Sequence, residues 1–134
     1  MACFEKAGLQ LIGLKMIHLS RAQAEQFYQE HKGRPFYEGL VQFMTSAPIM
    51  ATAWQGDNAI ATARSLMGAT NSQEAAIGTL RKEFGTDNRK NLVHGSDSPR
   101  SAEREIPFFF KPEELFQYNA ADWQKEPQPL NTPQ

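Results

Sequence analysis

Cysteine is almost absent from this chain: Cys3 is the single one in 134 residues. One thiol can form neither an intramolecular disulfide nor a cysteine-built zinc site, and a reducing compartment fits. Charge imbalance is missing too. Fourteen Lys and Arg stand against fifteen Asp and Glu, for a net charge of −1. That balance argues against general nucleic-acid binding, which needs a basic excess. No apolar run approaches the ~20 residues of a membrane helix. The N-terminus lacks the basic segment and apolar run of a secretory leader. The expectation is a cytoplasmic protein with no membrane partner. No internal repeat is present.

What remains is ordinary material for one domain. Hydrophobic residues make up 40% and charged residues 22%, enough to build a core at this length. Residues 9–18 read as a strand, with Ile12, Leu14 and Met16 on one face and Gly13 and Lys15 on the other. Ser20 and Gln23 form a capping box, and Ala24, Phe27, Tyr28 and His31 follow at helical spacing. Gly33-Arg34-Pro35 ends that run. Tyr37, Leu40, Val41 and Met44 mark a short helix, and Pro48 to Trp54 a second strand. Asp57 is positioned to cap a helix over 58–67, closed by Gly68. A short helix is expected around 74–82. The order of elements predicts an α+β sandwich.

The stretch richest in chemistry is Asn91 to Glu105, NLVHGSDSPRSAERE. Ser98 fits a helix N-cap and Pro99 the first helical position. Ala102, Ile106, Phe109 and Phe110 then share one helical face. Pro107 interrupts it, so a kink or an early end is expected there. His94 stands just ahead of this helix start, among Gly95, Ser96, Asp97 and Ser98. A helix N-terminus favours a nearby phosphate. Neutral imidazole can attack an electrophile without prior deprotonation. A histidine, a carboxylate to orient it and an anion-friendly helix end together suggest phosphoryl transfer through a phosphohistidine. On the residues alone, a lone histidine beside Gly and Ser is more often a loop residue, and Phe27 reads as core.

NLVHGSDS followed by SAEREI resembles the active-site signature of the nucleoside diphosphate kinases. CFEKAGLQLIGLKM is similar to that family's end of first helix and second strand. HKGRPFYEGLVQFMTSAPIMATAW, GDNAIATARSLMGATN and IGTLRKEFGTDNRKN resemble its later segments in order, and FKPEELFQYNAADWQKE its longer C-terminal tail. The resemblance implies a ferredoxin-like α/β sandwich with an antiparallel sheet over residues 1–126, the tail beginning at 111. Residues 127–134 are expected to be disordered.

The same resemblance implies the site. His94 is then the nucleophile that carries phosphate between nucleotides, Glu105 the carboxylate on its ring, and Ser96 the hydroxyl steadying Glu105. Arg64 and Arg81 match phosphate-binding arginines, whose guanidinium groups stay charged and bind oxygens in pairs. Thr70 and Asn91 match neutral donors to phosphates and sugar. Phe36 matches the aromatic that stacks on the base, with Lys32 beside it, and Tyr28 matches a position near the histidine. Asp97 matches an aspartate that reaches magnesium through water. Nucleoside tri- and diphosphates are the implied partners, ATP or another triphosphate the donor. The aromatic tail implies a homo-oligomer, a hexamer by analogy.

One departure stands out. The family opens with a strand ending in Lys-Pro-Asp, whereas this sequence begins at Met1 within the equivalent of the following helix. The single Lys-Pro pair, Lys111-Pro112, lies in the tail. Two further readings therefore stay open: a catalytically weak or inactive member acting as a nucleotide-binding or oligomer-forming subunit, and a truncated chain with no separate function.

Overall fold

The computed structural model describes residues 1–86 and 93–119. Its elements run α1 (Ala2–Lys6), β1 (Gln10–Ile17), α2 (Arg21–Phe27), α3 (Tyr37–Thr45), β2 (Ile49–Gln55), α4 (Ala59–Met67), α5 (Leu80–Phe84) and α6 (Pro99–Phe109). Single 3-10 turns cover Gln29–His31 and Pro112–Glu114. The class is α+β, as expected. Among the described residues the sheet holds two strands, antiparallel. Val93 and His94 carry no strand. Residues 87–92, including Asn91, and residues 120–134, including the 127–134 segment, lie outside the described residues.

β1 and β2 pair from Gln10 opposite Gln55 to Ile17 opposite Ile49. One extra residue, Ile12, bulges from β1 between the pairs Leu11–Trp54 and Gly13–Ala53. The bulge separates Ile12, which packs against the core, from Leu14 and Met16, with which it was expected to share a face. Leu14 and Met16 are 49% and 72% exposed, while Gly13 is buried. The covered face is set by what packs on it. Phe110 and Leu115 lie over Gly13 so closely that a β-carbon there would stand 2.9 Å from Leu115 Cδ2 and 3.1 Å from Phe110 Cε1. Ala51, Ala53 and Phe110 are buried together, with Ile12, Ile17, Phe109 and Leu115 around them.

The tail folds back along β1. The Phe116 amide donates to Ile12 O at 2.8 Å, the Tyr118 hydroxyl donates to Leu11 O at 2.5 Å, and Gln10 Nε2 donates to Tyr118 O at 2.6 Å. Lys15 pairs with Glu114 at 3.2 Å. β1 therefore carries a bulge, a lysine and a covering segment, the usual protections of a sheet edge. β2 has no charge and no proline, and its outer edge pairs with no strand among the described residues.

Capping chemistry accounts for several helix ends. Ser20 and Gln23 form the expected capping box, and Ser98 accepts from the Ser101 amide with Pro99 next in line. Four expectations change. The α-helix after Ser20 stops at Phe27, and His31 falls in the 3-10 turn. Asn58, not Asp57, occupies the N-cap of α4; it is left-handed at φ 51° and makes no side-chain cap bond. The helix expected near 74–82 forms only over Leu80–Phe84, because Thr79 caps it there. α6 runs through Pro107 to Phe109. Pro107 sits in the last turn and is exposed, so the missing amide removes one terminal bond and water can reach the freed carbonyl. Phe110 leaves the helix in extended geometry and drops into the core. Gly68 closes α4 at φ 91°, where a side chain would be strained.

Candidate active site

His94 lies between α5 and α6, on a loop that α6 enters through its Ser98 cap. One turn and a half along α6, Glu105 turns inward and is 8% exposed. His94 Nε2 meets Glu105 Oε1 at 2.9 Å. Ser96 Oγ donates to the other carboxylate oxygen. Burial pushes the Glu105 carboxyl up, but the hydrogen bonds from His94 and Ser96, with the nearby charges of His94 and Arg104, outweigh it and hold the pKa below the usual range. An ionised carboxylate only accepts, so Nε2 carries the ring hydrogen when the imidazole is neutral. Nδ1 then keeps its lone pair, on a side chain that is 46% exposed.

The loop is gripped on both sides of the histidine. Arg81 Nη2 donates to Val93 O at 2.7 Å and Nη1 to Gly68 O at 3.1 Å. Arg64 Nη1 donates to Gly95 O at 3.0 Å. The residue before His94 and the residue after it are thus each held by an arginine. Arg81 is 4% exposed, and burial first, then the Arg64 charge, lowers its pKa. Its Nε is buried with no partner among the described residues. Gly95 lies close to α4: a β-carbon there would stand 2.7 Å from Met67 Sδ, so the end of that side chain would have to move.

Asp97 is exposed and accepts from Ser101 Oγ. That bond first, with smaller help from Ser98 and the Arg64 charge, holds its carboxyl below the usual range despite some burial. Among the described residues no group of three His, Cys, Asp or Glu could cage a metal. A single ionised carboxylate instead suits magnesium arriving on a nucleotide and keeping its waters.

A row of rings leads away from His94. Tyr28 stands at 89° to His94 with centroids 6.4 Å apart. His31 lies 6.2 Å from Tyr28, and Phe36 5.4 Å from His31. Phe36 is 44% exposed at the start of α3, available for stacking. Lys32 follows His31 and is exposed. Thr70 is exposed in the loop after Gly68. The fold thus brings His94, Glu105, Ser96, Tyr28, Arg64, Arg81 and Asp97 into one neighbourhood, with Phe36 at the end of the ring row. Asn91 lies outside the described residues.

Two contributors escaped the sequence reading. Phe27, read as core, is core and also meets the His94 ring, 5.2 Å away at 75°. Arg104 lies 6.0 Å over Phe27 and adds charge beside Glu105. Arg104 is next to Glu105 in sequence, but that adjacency does not reveal that α2 supplies the ring beneath it.

Comparison with known proteins points one way. Residues 1–115 match the family model described as nucleoside diphosphate kinase. A nucleoside diphosphate kinase of Carboxydothermus hydrogenoformans is 56% identical over 115 residues, covering 86% of this chain and 77% of that protein. One from Coxiella burnetii is 56% identical over 113 residues, 84% and 81% of the two chains. Among solved structures, a halophilic nucleoside diphosphate kinase from Halobacterium salinarum in complex with CDP superposes with a TM-score of 0.83 at 42% identity, covering 92% of this chain and 84% of that one. The Aquifex aeolicus nucleoside diphosphate kinase gives 0.82, also at 42%, over 84% and 82%. Among the described residues no helix is long and apolar enough to cross a membrane. By sequence along most of its length, and by fold, the chain belongs to the nucleoside diphosphate kinase family.

Proposed function

We propose that this nucleoside diphosphate kinase works through His94. The observation that carries the reading is the hydrogen bond between Nε2 and Glu105, which leaves the Nδ1 lone pair on a half-exposed ring. Nδ1 attacks the γ-phosphorus of a nucleoside triphosphate. A phosphorus–nitrogen bond forms, the bond to the β–γ bridging oxygen breaks, and the diphosphate departs. A terminal oxygen of a second nucleoside diphosphate then takes the phosphoryl group from the ring, and His94 returns to its first state. The kinetics are ping-pong.

Glu105 keeps the tautomer and offsets charge on the ring as nitrogen donates its pair; Ser96 steadies Glu105. Arg64 and Arg81 neutralise nucleotide phosphates, Arg81 after its guanidinium shifts from a carbonyl. Thr70 and Asn91 supply neutral donors to phosphates and sugar. Phe36 stacks on the base, with Lys32 beside it, and Tyr28 borders the transferred group. Asp97 would reach the nucleotide's magnesium through a water, where the ion would offset charge on the phosphates.

The same reading assigns a cytoplasmic homo-oligomer, a hexamer by analogy with long-tailed relatives, with no general nucleic-acid or membrane binding. The exposed apolar side chains of Leu14, Met16 and Met50 on one face of the sheet support contact between copies. A second reading, a weak or inactive member that binds nucleotides or forms oligomers, is favoured by the engagement of Arg81 with two backbone carbonyls. Incubation with γ-labelled nucleoside triphosphate and magnesium separates the two. The first reading expects an acid-labile, base-stable phosphoprotein that passes its label to an added diphosphate. Nucleotide binding without label supports the second.

A further inference from the structure

A hydrogen bond at one nitrogen fixes one point of an imidazole. The ring can still rock about that bond, and its free lone pair rocks with it. Phosphoryl transfer depends on the direction of that lone pair, because attack and departure lie nearly in line. Something besides Glu105 must hold the plane of the His94 ring.

Phe27 has the placement for this task. It is 4% exposed, at the end of α2. Its ring stands 5.2 Å from His94 at an interplanar angle of 75°. It is itself confined by Tyr28 at 4.9 Å, Phe108 at 5.3 Å and Phe109 at 5.1 Å. Arg104 covers it from 6.0 Å, and its Nη1 lies 3.4 Å from the Phe27 carbonyl oxygen. Phe108, Phe109, Arg104 and Glu105 all belong to α6. The helix that supplies the hydrogen bond to His94 therefore also seats the ring that abuts His94. Edge-to-face aromatic pairs have a preferred geometry, which an aliphatic side chain of equal bulk does not supply.

We propose that Phe27 is a positioning residue for phosphoryl transfer. Glu105 sets the direction of the imidazole and Phe27 sets its plane, so that Nδ1 faces the incoming phosphorus. The proposal rests on His94 as nucleophile. It goes beyond that reading by giving a second function to a residue whose burial is already accounted for by packing.

The test compares Phe27→Leu, Phe27→Met and Phe27→Tyr with the unaltered chain. Three quantities are read: the single-turnover rate of His94 phosphorylation by ATP and magnesium, per folded molecule; ADP affinity; and the melting temperature. Leu and Met should slow phosphorylation by about 10- to 100-fold, the scale of a misaligned reacting group, with ADP affinity within about twofold. Tyr keeps the aromatic ring and should recover most of the rate. Near-parental rates in folded Leu or Met variants overturn the proposal. So does equal slowing in all three variants, or slowing matched by lost ADP affinity, since each reports general packing. If Leu unfolds the chain, Met and Tyr decide between these outcomes. If none of the three folds, Phe27 acts through packing, and the proposal is overturned. If the unaltered chain takes no label on His94, the underlying reading fails first, and that result is distinct from any variant's behaviour.

Discussion

The His94 neighbourhood and the β1–β2 sheet are finished to different degrees. Around His94 the imidazole, the Glu105 carboxylate, the Ser96 hydroxyl behind it and the carbonyls on either side of the histidine are all engaged. The sheet, among the described residues, stops at two strands, leaves β2 with an unprotected edge, and exposes Met16 and Met50. A two-stranded sheet is marginal by itself. Here it gains from the tail and Phe110 on one face, while the chemistry depends on α6 and the loop ahead of it. The difference teaches that the site's order comes from a local loop–helix unit braced by α2, α4 and α5, not from a complete sheet.

The comparison breaks most sharply at His94. His94→Ala should abolish the phosphoprotein and lower the melting temperature only modestly, because the ring is half exposed and Ser96 still donates to the Glu105 carboxylate. Label that survives the substitution would refute the nucleophile.

The sheet offers the next largest effect. Adding an N-terminal strand of the family type, ending in Lys-Pro-Asp, should raise both stability and phosphorylation rate. About two orders of magnitude in rate are expected if that lysine acts as other positioned donors do. The same strand with alanine for lysine should recover stability alone. Equal rates with and without the lysine would mean that a residue already present replaces it.

The two arginines divide the comparison more finely. Arg81 is buried on two carbonyls, so Arg81→Ala should lower unfolding stability by about 2–4 kcal/mol, as for lost charged hydrogen bonds in a core. Arg64, less buried and with one carbonyl partner, should cost less stability on replacement by alanine. It should weaken ADP more than adenosine, measured by calorimetric titration. Equal weakening of both ligands would remove Arg64 from the phosphates.

Smaller still is the effect expected at the exposed sheet face. Met16→Lys should reduce assembly in light scattering and change the phosphorylation rate by less than twofold. Unchanged assembly would separate that face from any contact between copies.

The mildest test is pH. Glu105 has its pKa lowered in the folded chain, so its contribution is present above the ordinary carboxylate value and is lost as pH falls through the lowered one. Tyr28 runs the other way. Burial, with the Glu105 charge, raises it to about 12. Its neutral form is favoured in the fold, so that contribution is intact below pH ~10 and lost as pH rises toward ~12. Tyr28→Phe should flatten the alkaline limb of a stability curve and leave the acid limb alone.

The amino-acid sequence alone determined the features whose physics is local. The Ser20–Gln23 capping box, the Ser98–Pro99 start of α6 and the closure of α4 at Gly68 each depend on a few adjacent residues or on one helical turn. The grouping of His94 with Glu105 and Ser96 comes instead from resemblance to a family signature, since eleven residues separate the histidine from the glutamate. Tertiary structure decided what alternation could not. Alternation put Leu14 and Met16 on one face of β1 without saying which face is covered; they point outward because Phe110 and Leu115 claim the Gly13 side. Pro107 read as a kink or an early end, and α6 carries it in an exposed last turn that closes two residues later, at Phe109. Phe27 read as filler, yet it touches the histidine from a helix 67 residues away in sequence. A pattern along the chain records which residues avoid water. Which partners they meet instead is settled only when distant segments compete for the same space.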